Sequence, residues 1–439
     1  MSYKFHYNEL DDLMEEAQKS AINLPICDNF DILFSKVNFG KFKMQNRFVI
    51  QPMEGCDGKS DGSPGELTLR RYNRFAKSGA ALIWAEACSV TEEGKANPRQ
   101  LFLTEKNILS YKEMISMIKK TAKDANGENF SPLIFLQLTH SGRYSRPNGY
   151  PQPIIASNTP LDSSSGVNSE TEIVSDDYLK SLPEKFASSA KLAALAGFDG
   201  VDIKSCHRYL FSELLSSFTR VNSIYGGFDM ENRQRLILET IDAVSNSIGD
   251  NIEITSRLNF FDGMSMPFGF GGNADGQEIN LNEPLKLIEE MRKKGVRGIN
   301  VTLGNPYYSP HLNRPYDRPV KNGYEPPEAQ LKGIERFIFA ADAAQSKFKD
   351  LNVVLSGMSW LRQFFPYIAS GALKDGAATS VGLGRLFFAY PEFIHDLREN
   401  GELDKKKVCI ACSLCSQLMR NGEKAGCAVK DGEYYSCKV

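Results

Sequence analysis

Eight short apolar, β-rich runs alternate along the chain with longer stretches of helical period, and this rhythm limits the folds open to it. The candidate strands are FVIQPM (48–53), ALIWAEACS (81–89), PLIFLQLTH (132–140), GVDIKS (200–205), IEITSRLN (252–259), GINVTLG (298–304), NVVLSG (352–357) and AATSVGLG (377–384). Near-continuous apolar strands suit a parallel sheet covered on both faces, and the segments 181–197, 231–247 and 282–295 carry apolar residues at three- and four-residue spacing. Eight such units are what a closed (β/α)8 barrel requires; an open doubly wound sheet is the competing arrangement. A chain of 439 residues could hold two or three domains. A barrel of this kind commonly takes roughly 200–400 residues as one unit, so residues 31–400 read as a single α/β TIM barrel.

Two shorter pieces flank it. Residues 1–30 read as a helical extension, with Leu10, Leu13, Met14 and Ala17 on one side, expected to cap the bottom of the barrel. Residues 401–439 form a cysteine-rich segment. The loops at 141–175 and 259–280 exceed what a simple barrel needs, and either a substrate lid or a disordered insertion accounts for the extra length.

Composition narrows the function classes. With 24% charged and 41% hydrophobic residues and a formal net charge of −2, the chain suits neither disorder nor a membrane span, and it lacks the basic surface that nucleic acid demands. The start, MSYKFHYNELDDLMEEAQKS, is acidic where a signal peptide needs a basic stretch and then an apolar one. Nine cysteines are too few for a disulfide scaffold, and four crowd between 409 and 427. A reducing cytoplasm and a metal or cluster site follow as expectations.

Chemistry-bearing motifs are few. PFGFGG (267–272) lacks the strand-to-helix setting in which glycines cradle a pyrophosphate, so it reads as a loop. SGM (356–358) and GLGR (382–385) end the last two strands, where backbone amides and Arg385 would form an anion site of the kind barrels offer to phosphates; tight βα turns explain the same glycines. Cys409, Cys412 and Cys415 are spaced CxxCxxC, and Cys427 follows after eleven residues. Four thiolates suit a 4Fe-4S cluster or a zinc ion, and spacing alone does not choose. Cys437 stands apart as an unpaired thiol.

NRFVIQPM, LIWAEA, LQLTHSGRYS, GFDGVDIKSCHRYL, YGGFDMENRQR and VGLGR, in this order, resemble the NADH:flavin oxidoreductase family of old yellow enzymes from about residue 33 to 395. HSGRYS and the C-terminal cysteines look most like the 2,4-dienoyl-CoA reductase branch. The resemblance implies an FMN across the barrel mouth, with Pro52, Met53 and Ala87 against its ring system and Gln137 on the pyrimidine edge. It sets Arg257 beside N1 and O2, and Gly357, Gly384 and Arg385 around the ribityl phosphate. A cation near N1 would stabilise the anionic reduced ring.

The same resemblance places a substrate grip after the fourth strand, where IKSCHRYL supplies Lys204, His207 and Tyr209. Ene-reduction needs a hydride for the β carbon, a polarised carbonyl and a proton for the α carbon; Tyr209, protonated at neutral pH, fits the donor. Lys204 stands where the family usually has His, and Arg208 where Gly is common. Such a cationic grip suits an enolate, phenolate or carboxylate oxygen. TRVNSI (219–224) is shorter than the family pattern and lacks its acidic residue, which leaves that loop's geometry open. Glu54 and Cys56 fall beside the flavin region without an assigned role.

For the cysteines, the resemblance favours 4Fe-4S over zinc, although the branch usually has three residues before the third Cys. Longer relatives continue into an FAD and nicotinamide module of on the order of 100 residues or more, whereas Val439 lies twelve residues past Cys427, so that module is expected to be missing. Electrons would then come from NAD(P)H directly or, preferably, from a separate ferredoxin or NAD(P)H reductase through the cluster. The expected activity is an FMN-dependent ene-reductase acting on enoates, enoyl thioesters, or steroid, flavonoid or bilin enones. Oxidative amine demethylation, a flavin-free Schiff-base lyase using Lys204, and a non-catalytic electron relay are the alternatives.

Overall fold

The computed structural model describes residues 4–434. Eight parallel strands, β1 (Phe48–Ile50), β2 (Leu82–Ser89), β3 (Leu133–Thr139), β4 (Gly200–Ile203), β5 (Glu253–Asn259), β6 (Val296–Thr302), β7 (Asn352–Leu355) and β8 (Ser380–Leu383), pair in chain order. β8 returns to β1 through Leu383 opposite Ile50, and β1 meets β2 through Val49 opposite Leu82, which closes the ring. The fold is a (β/α)8 barrel, not the open sheet. All eight strands fall on the apolar runs read from the sequence.

Between and beyond the strands lie α1 (Glu66–Lys77), α2 (Ile108–Asn126), α3 (Asp176–Ala196), α4 (Met230–Ile248), α5 (Asn282–Lys293), α6 (Gln330–Lys347), α7 (Phe365–Lys374) and α8 (Phe393–Asn400). Each turns an apolar stripe onto the sheet. In α3 the stripe is Leu179, Leu182, Phe186 and Ala190, and Gly197, at a φ of +100°, stops the helix in the left-handed conformation that glycine takes without strain. No helix among the described residues is long and apolar enough to cross a membrane.

The bottom of the barrel is closed differently from expectation. A hairpin, Val37–Phe39 with Phe42–Met44, does the capping: Phe39 and Met44 pack against Val49, Leu82, Trp84, Phe135 and Val354. Gly40, at a φ of +53°, takes the first of the two turn positions, where a left-handed residue is required. Its amide donates to Asn352 Oδ1 (3.0 Å), and that of Lys41 donates to Glu253 Oε1 (2.7 Å), so the tip is pinned to the starts of β7 and β5. The N-terminal helix, Leu10–Lys19, does bury Leu13 and Ala17. However, the extension lies along the flank of α6 and α7, where Phe5 packs on Trp360, Asn23 donates to Glu335 (2.8 Å) and Cys27 to the Tyr367 carbonyl (3.1 Å).

The two long loops are packed. Arg143, fully buried, donates to Asp162 (2.5 Å) and Glu213 (2.8 Å), and Arg220 of the TRVNSI stretch ties Asp176 (2.6 Å) and the Ala156 carbonyl (3.0 Å). Residues 141–175 are therefore held down by buried charge rather than inserted loosely. PFGFGG opens no helix; Phe270 donates to Asp262 (2.9 Å), and α5 begins only at Asn282.

Phe39 is fully buried, edge-on to Phe135 at 5.3 Å between centroids. Phe39→Ala is expected to cost about 3 kcal/mol by leaving a cavity under the barrel. A lowered urea midpoint would show it; an unchanged one would mean that the hairpin does not close the core.

Candidate active site

Strand pairing brings the polar side chains of the barrel top into one row. Ala87 stands opposite Gln137, Gln137 opposite Asp202, and Asp202 opposite Thr255, with Arg257 one residue pair higher, opposite Asn300. Gln137 Nε2 donates to Asp202 Oδ2 (2.6 Å), and Thr255 Oγ1 donates to Oδ1 (3.4 Å). Burial lifts Asp202 to about 6, against these two donors and the Arg257 charge. Across the ring, Gln51 Nε2 donates to Ser356 Oγ (2.8 Å) and Asn300 Oδ1 (3.1 Å), while Asn300 Nδ2 returns a bond to Gln51 Oε1 (2.8 Å).

A register shift between Ala85 and Ala87 frees Glu86 from the ladder. It accepts from the Gly55 amide (2.9 Å) and joins buried Arg71 and Asp57, which pair at 2.5 Å. This fixes the loop after β1 that carries Pro52, Met53 and Glu54. Pro52 is buried and Met53 half-buried, and a Cβ on Gly384 would lie 2.8 Å from the Met53 sulfur.

At the ends of β7 and β8, Gly357 (φ +89°) and Gly384 lead into short helical turns, and Arg385 follows. Arg385 Nη1 is buried without a hydrogen-bond partner, as is Arg257 Nε. Two guanidinium groups with unmet donors, beside two glycine turns and a row of amide and carboxyl groups, suit a flavin phosphate and pyrimidine.

Lys204, His207 and Tyr209 do come together. His207 and Arg208 take consecutive left-handed conformations (φ +64° and +59°), folding Tyr209 back so that Lys204 Nζ stands 3.8 Å from its ring centroid. The His207 and Tyr209 rings lie 6.3 Å apart, nearly perpendicular. Burial pushes His207 well below its usual value, and the Arg257 and Lys204 charges push the same way; its Nε2 has no partner. Burial lowers Lys204 too, opposed by the nearby Glu54 carboxylate. Tyr209 is held well above 10, first by burial. Arg208 points elsewhere: fully buried, it bonds Asp262 (3.1 Å), the Phe268 carbonyl (2.8 Å) and Ser216, and plays no part in the grip.

Residues absent from the sequence-based site complete the wall. Tyr307 stacks on Tyr144 at 4.0 Å and 22°, and Tyr144 stands 6.2 Å from Tyr209. Glu54 accepts from Gln100 Nε2 (2.9 Å) and is raised by burial. Glu54 already stands beside the flavin region in the sequence and Tyr144 within HSGRYS, whereas the local sequence does not mark Tyr307.

Cys409, Cys412, Cys415 and Cys427 line one cavity together with Arg385. Ala411 and Ser413, at φ +52° and +60°, wind the chain tightly between them. Burial pushes Cys409 up to about 12 and raises Cys412 and Cys427. No three His, Cys, Asp or Glu side chains among the described residues close on a single-ion centre. The segment is tied across the barrel mouth: Asp317 donates to the Ala411 carbonyl (3.0 Å), Ala425 to that of Gly55 (2.7 Å), and Arg70 grips Asp431 through two bonds (2.8 and 2.9 Å). Cys437 lies outside the described residues.

Residues 32–292 match the family model described as NADH:flavin oxidoreductase / NADH oxidase. The chain belongs to this family. Among its curated relatives are an NADH oxidase of Thermoanaerobacter brockii, 25% identical over 393 residues (88% of this chain, 53% of the relative), and a cinnamate reductase of Clostridium sporogenes, 25% identical over 414 residues (92% and 58%). The chain thus spans little more than half the length of these members. A solved 2-naphthoyl-CoA reductase complex superposes with a TM-score of 0.73 over 92% of this chain and 58% of that one, at 17% identity, which supports the barrel fold.

Asp202→Asn is expected to raise the urea midpoint at about pH 8 but bring little gain at about pH 4, a difference of about 2–3 kcal/mol. A carboxyl lifted from 3.8 to about 6 keeps its stability contribution below the lower value and loses it as the pH rises through the upper one. Equal shifts at both pH values would contradict burial as the cause.

Proposed function

We propose that this chain is an FMN-dependent ene-reductase that saturates the C=C bond of an α,β-unsaturated carbonyl compound. The observation that carries the reading is the buried Lys204–His207–Tyr209 constellation, set on the same barrel mouth as the Ala87–Gln137–Asp202 row and Arg257. Pro52, Met53 and Ala87 would face the flavin, Gln137 and Arg257 its pyrimidine edge, and Gly357, Gly384 and Arg385 its phosphate. Bound there, FMN would supply the hydride for the β carbon.

The chain's own residues do the rest. His207, kept neutral by burial, and Lys204 converge on the substrate oxygen and stabilise the negative charge that develops there. Tyr209, whose phenol stays protonated at neutral pH, delivers a proton to the α carbon. The Tyr144–Tyr307 stack offers a flat aromatic surface to the substrate. Names among the relatives, cinnamate reductase above all, support an enoate or related conjugated acid derivative as substrate.

The four cysteines would hold a 4Fe-4S cluster. Four thiols lining one cavity suit such a cluster or a zinc ion, and the resemblance to the reductase branch favours iron. Electrons would arrive from NAD(P)H directly or through the cluster from a ferredoxin or NAD(P)H reductase. Amine demethylation is disfavoured by the Lys204 ammonium, which repels a cationic substrate. Family membership favours flavin chemistry over a Schiff base on Lys204.

Tyr209→Phe is expected to slow alkene reduction by about 10²-fold or more while leaving flavin reduction unchanged. Equal alkene turnover in the two proteins would remove Tyr209 from the mechanism. Anaerobically purified protein should show flavin absorbance with about one FMN and about four iron atoms per chain, and Cys412→Ala should lose the iron but keep the FMN. A colourless protein that takes up no FMN on reconstitution would sink the whole reading.

A further inference from the structure

The backbone on either side of Tyr209 is anchored. Arg208 before it is tied to Asp262 and the Phe268 carbonyl, and the amide of Leu210 after it donates to the carbonyl of His140 (3.2 Å). His140 directly follows β3, in HSGRYS, and takes no part in polarising the substrate carbonyl or in moving the proton. Its ring is buried where four segments meet. Nδ1 accepts from the Gly142 amide (3.1 Å), and Nε2 lies 2.8 Å from the Tyr178 hydroxyl on α3. That hydroxyl donates its own proton to Glu93 (2.6 Å) in the loop after β2, so Nε2 must carry a proton and donate it. A Cβ on Gly94 would lie 2.7 Å from His140 Cδ2, which leaves the ring no room to turn. Burial pushes His140 down to about 4, so the ring is neutral at neutral pH.

This chain of hydrogen bonds is not a proton path. It begins at the exposed Glu93 but ends on a backbone amide, which has no proton to pass on. It fixes one tautomer of His140, and with it a bond that shapes the turn after β3. Gly142 takes the left-handed conformation (φ +57°), and a Cβ there would lie 2.8 Å from the Leu210 nitrogen, so the turn lies directly against the backbone that follows Tyr209. Two residues further on, Tyr144 stands 6.2 Å from the Tyr209 ring.

We propose that His140 is a positioning residue for the proton donor: held as the Nε2-protonated tautomer by Tyr178 and Glu93, it sets the turn at 141–144 and, through its own carbonyl, the Leu210 amide, and so aims the Tyr209 hydroxyl. The inference rests on the donor role of Tyr209. If the Gly142 bond is lost, the turn relaxes against Leu210 and the phenol shifts with it. A displacement of about 1 Å in a reacting group can cost about 10²-fold in rate.

Two replacements separate the two ring nitrogens. In His140→Asn the amide oxygen takes the place of Nδ1 and still accepts from Gly142; in His140→Gln the longer amide reaches Tyr178 but leaves the Gly142 amide unmet. Holoenzyme reduced with dithionite and mixed with cinnamate or 2-cyclohexenone should reoxidise about tenfold more slowly in His140→Gln, with a larger solvent deuterium effect, whereas His140→Asn should recover most of the rate. Tyr178→Phe, which frees the tautomer and leaves the turn itself untouched, should slow the same step about threefold. FMN content and reoxidation by ferricyanide, which delivers no proton to carbon, should be the same in all three. Unchanged alkene rates in His140→Gln and Tyr178→Phe, with Tyr209→Phe still slow, would overturn the positioning role and leave the ene-reductase reading intact. Equal losses in His140→Asn and His140→Gln would also overturn it, as would a ferricyanide rate or FMN content that falls in step with the alkene rate, because the damage would then be to packing and not to aim. No effect from Tyr209→Phe would instead remove the donor on which the inference depends.

Discussion

Closure of the sheet is the constraint from which the rest of the molecule follows. Once β8 pairs with β1, no strand edge remains, and the inward side chains at the top all face one axis with little water to share. Polar groups there must satisfy one another. Gln51, Asn300 and Ser356 do so from the ends of β1, β6 and β7, and Gln137, Asp202 and Thr255 from β3, β4 and β5. Between them, these two knots join six of the eight strand tops. The donors left over, on Arg257, Arg385 and His207, would each cost about 1–3 kcal/mol if nothing met them. Beside the two glycine turns at the ends of β7 and β8, they mark the candidate binding site.

Charge inside this site is arranged by difference rather than by pairing. Lys204, His207 and Arg257 lie close enough to disfavour each other's protonated forms, whereas Glu54 and Asp202 pull the other way while being raised themselves by burial. None of these five forms an ion pair within 4 Å among the described residues, in contrast to Arg71, Arg143 and Arg208, whose carboxylate partners are in direct contact. Structural arginines in this fold are neutralised. Those at the barrel mouth are left to act on whatever enters.

The strands and most helices are legible in the sequence because a sheet covered on both faces needs uninterrupted apolar runs, and FVI, LIWAEA and LIFLQL supply them. The four cysteines are legible for a similarly local reason, since CxxCxxC confines three thiols to one loop. What could not be read depends on distant parts of the chain. The bottom cap went to the brief Val37–Met44 hairpin rather than to the longer amphipathic helix, since burial of Phe39 and Met44 against four strands is visible only after closure. Arg208 looked like part of the grip until the long loop after β5 delivered Asp262 beneath it. Tyr307 joins Tyr209 across some hundred residues of chain, through Tyr144 and Asn305, and nothing in the local pattern announces the meeting.

The cysteine segment does not simply hang from the end of the barrel. Its Ala425 amide bonds the Gly55 carbonyl, one residue from Glu54, while Gly422 receives Arg99, whose Nε also holds the Cys56 carbonyl at 2.8 Å. A seam of hydrogen bonds therefore joins the thiol-bearing loop to the strip of chain that follows β1. If the four thiols hold a cluster, as proposed, disorder on one side of that seam would reach the other as a change of shape, and the thiol loop and the wall of the candidate pocket would yield together.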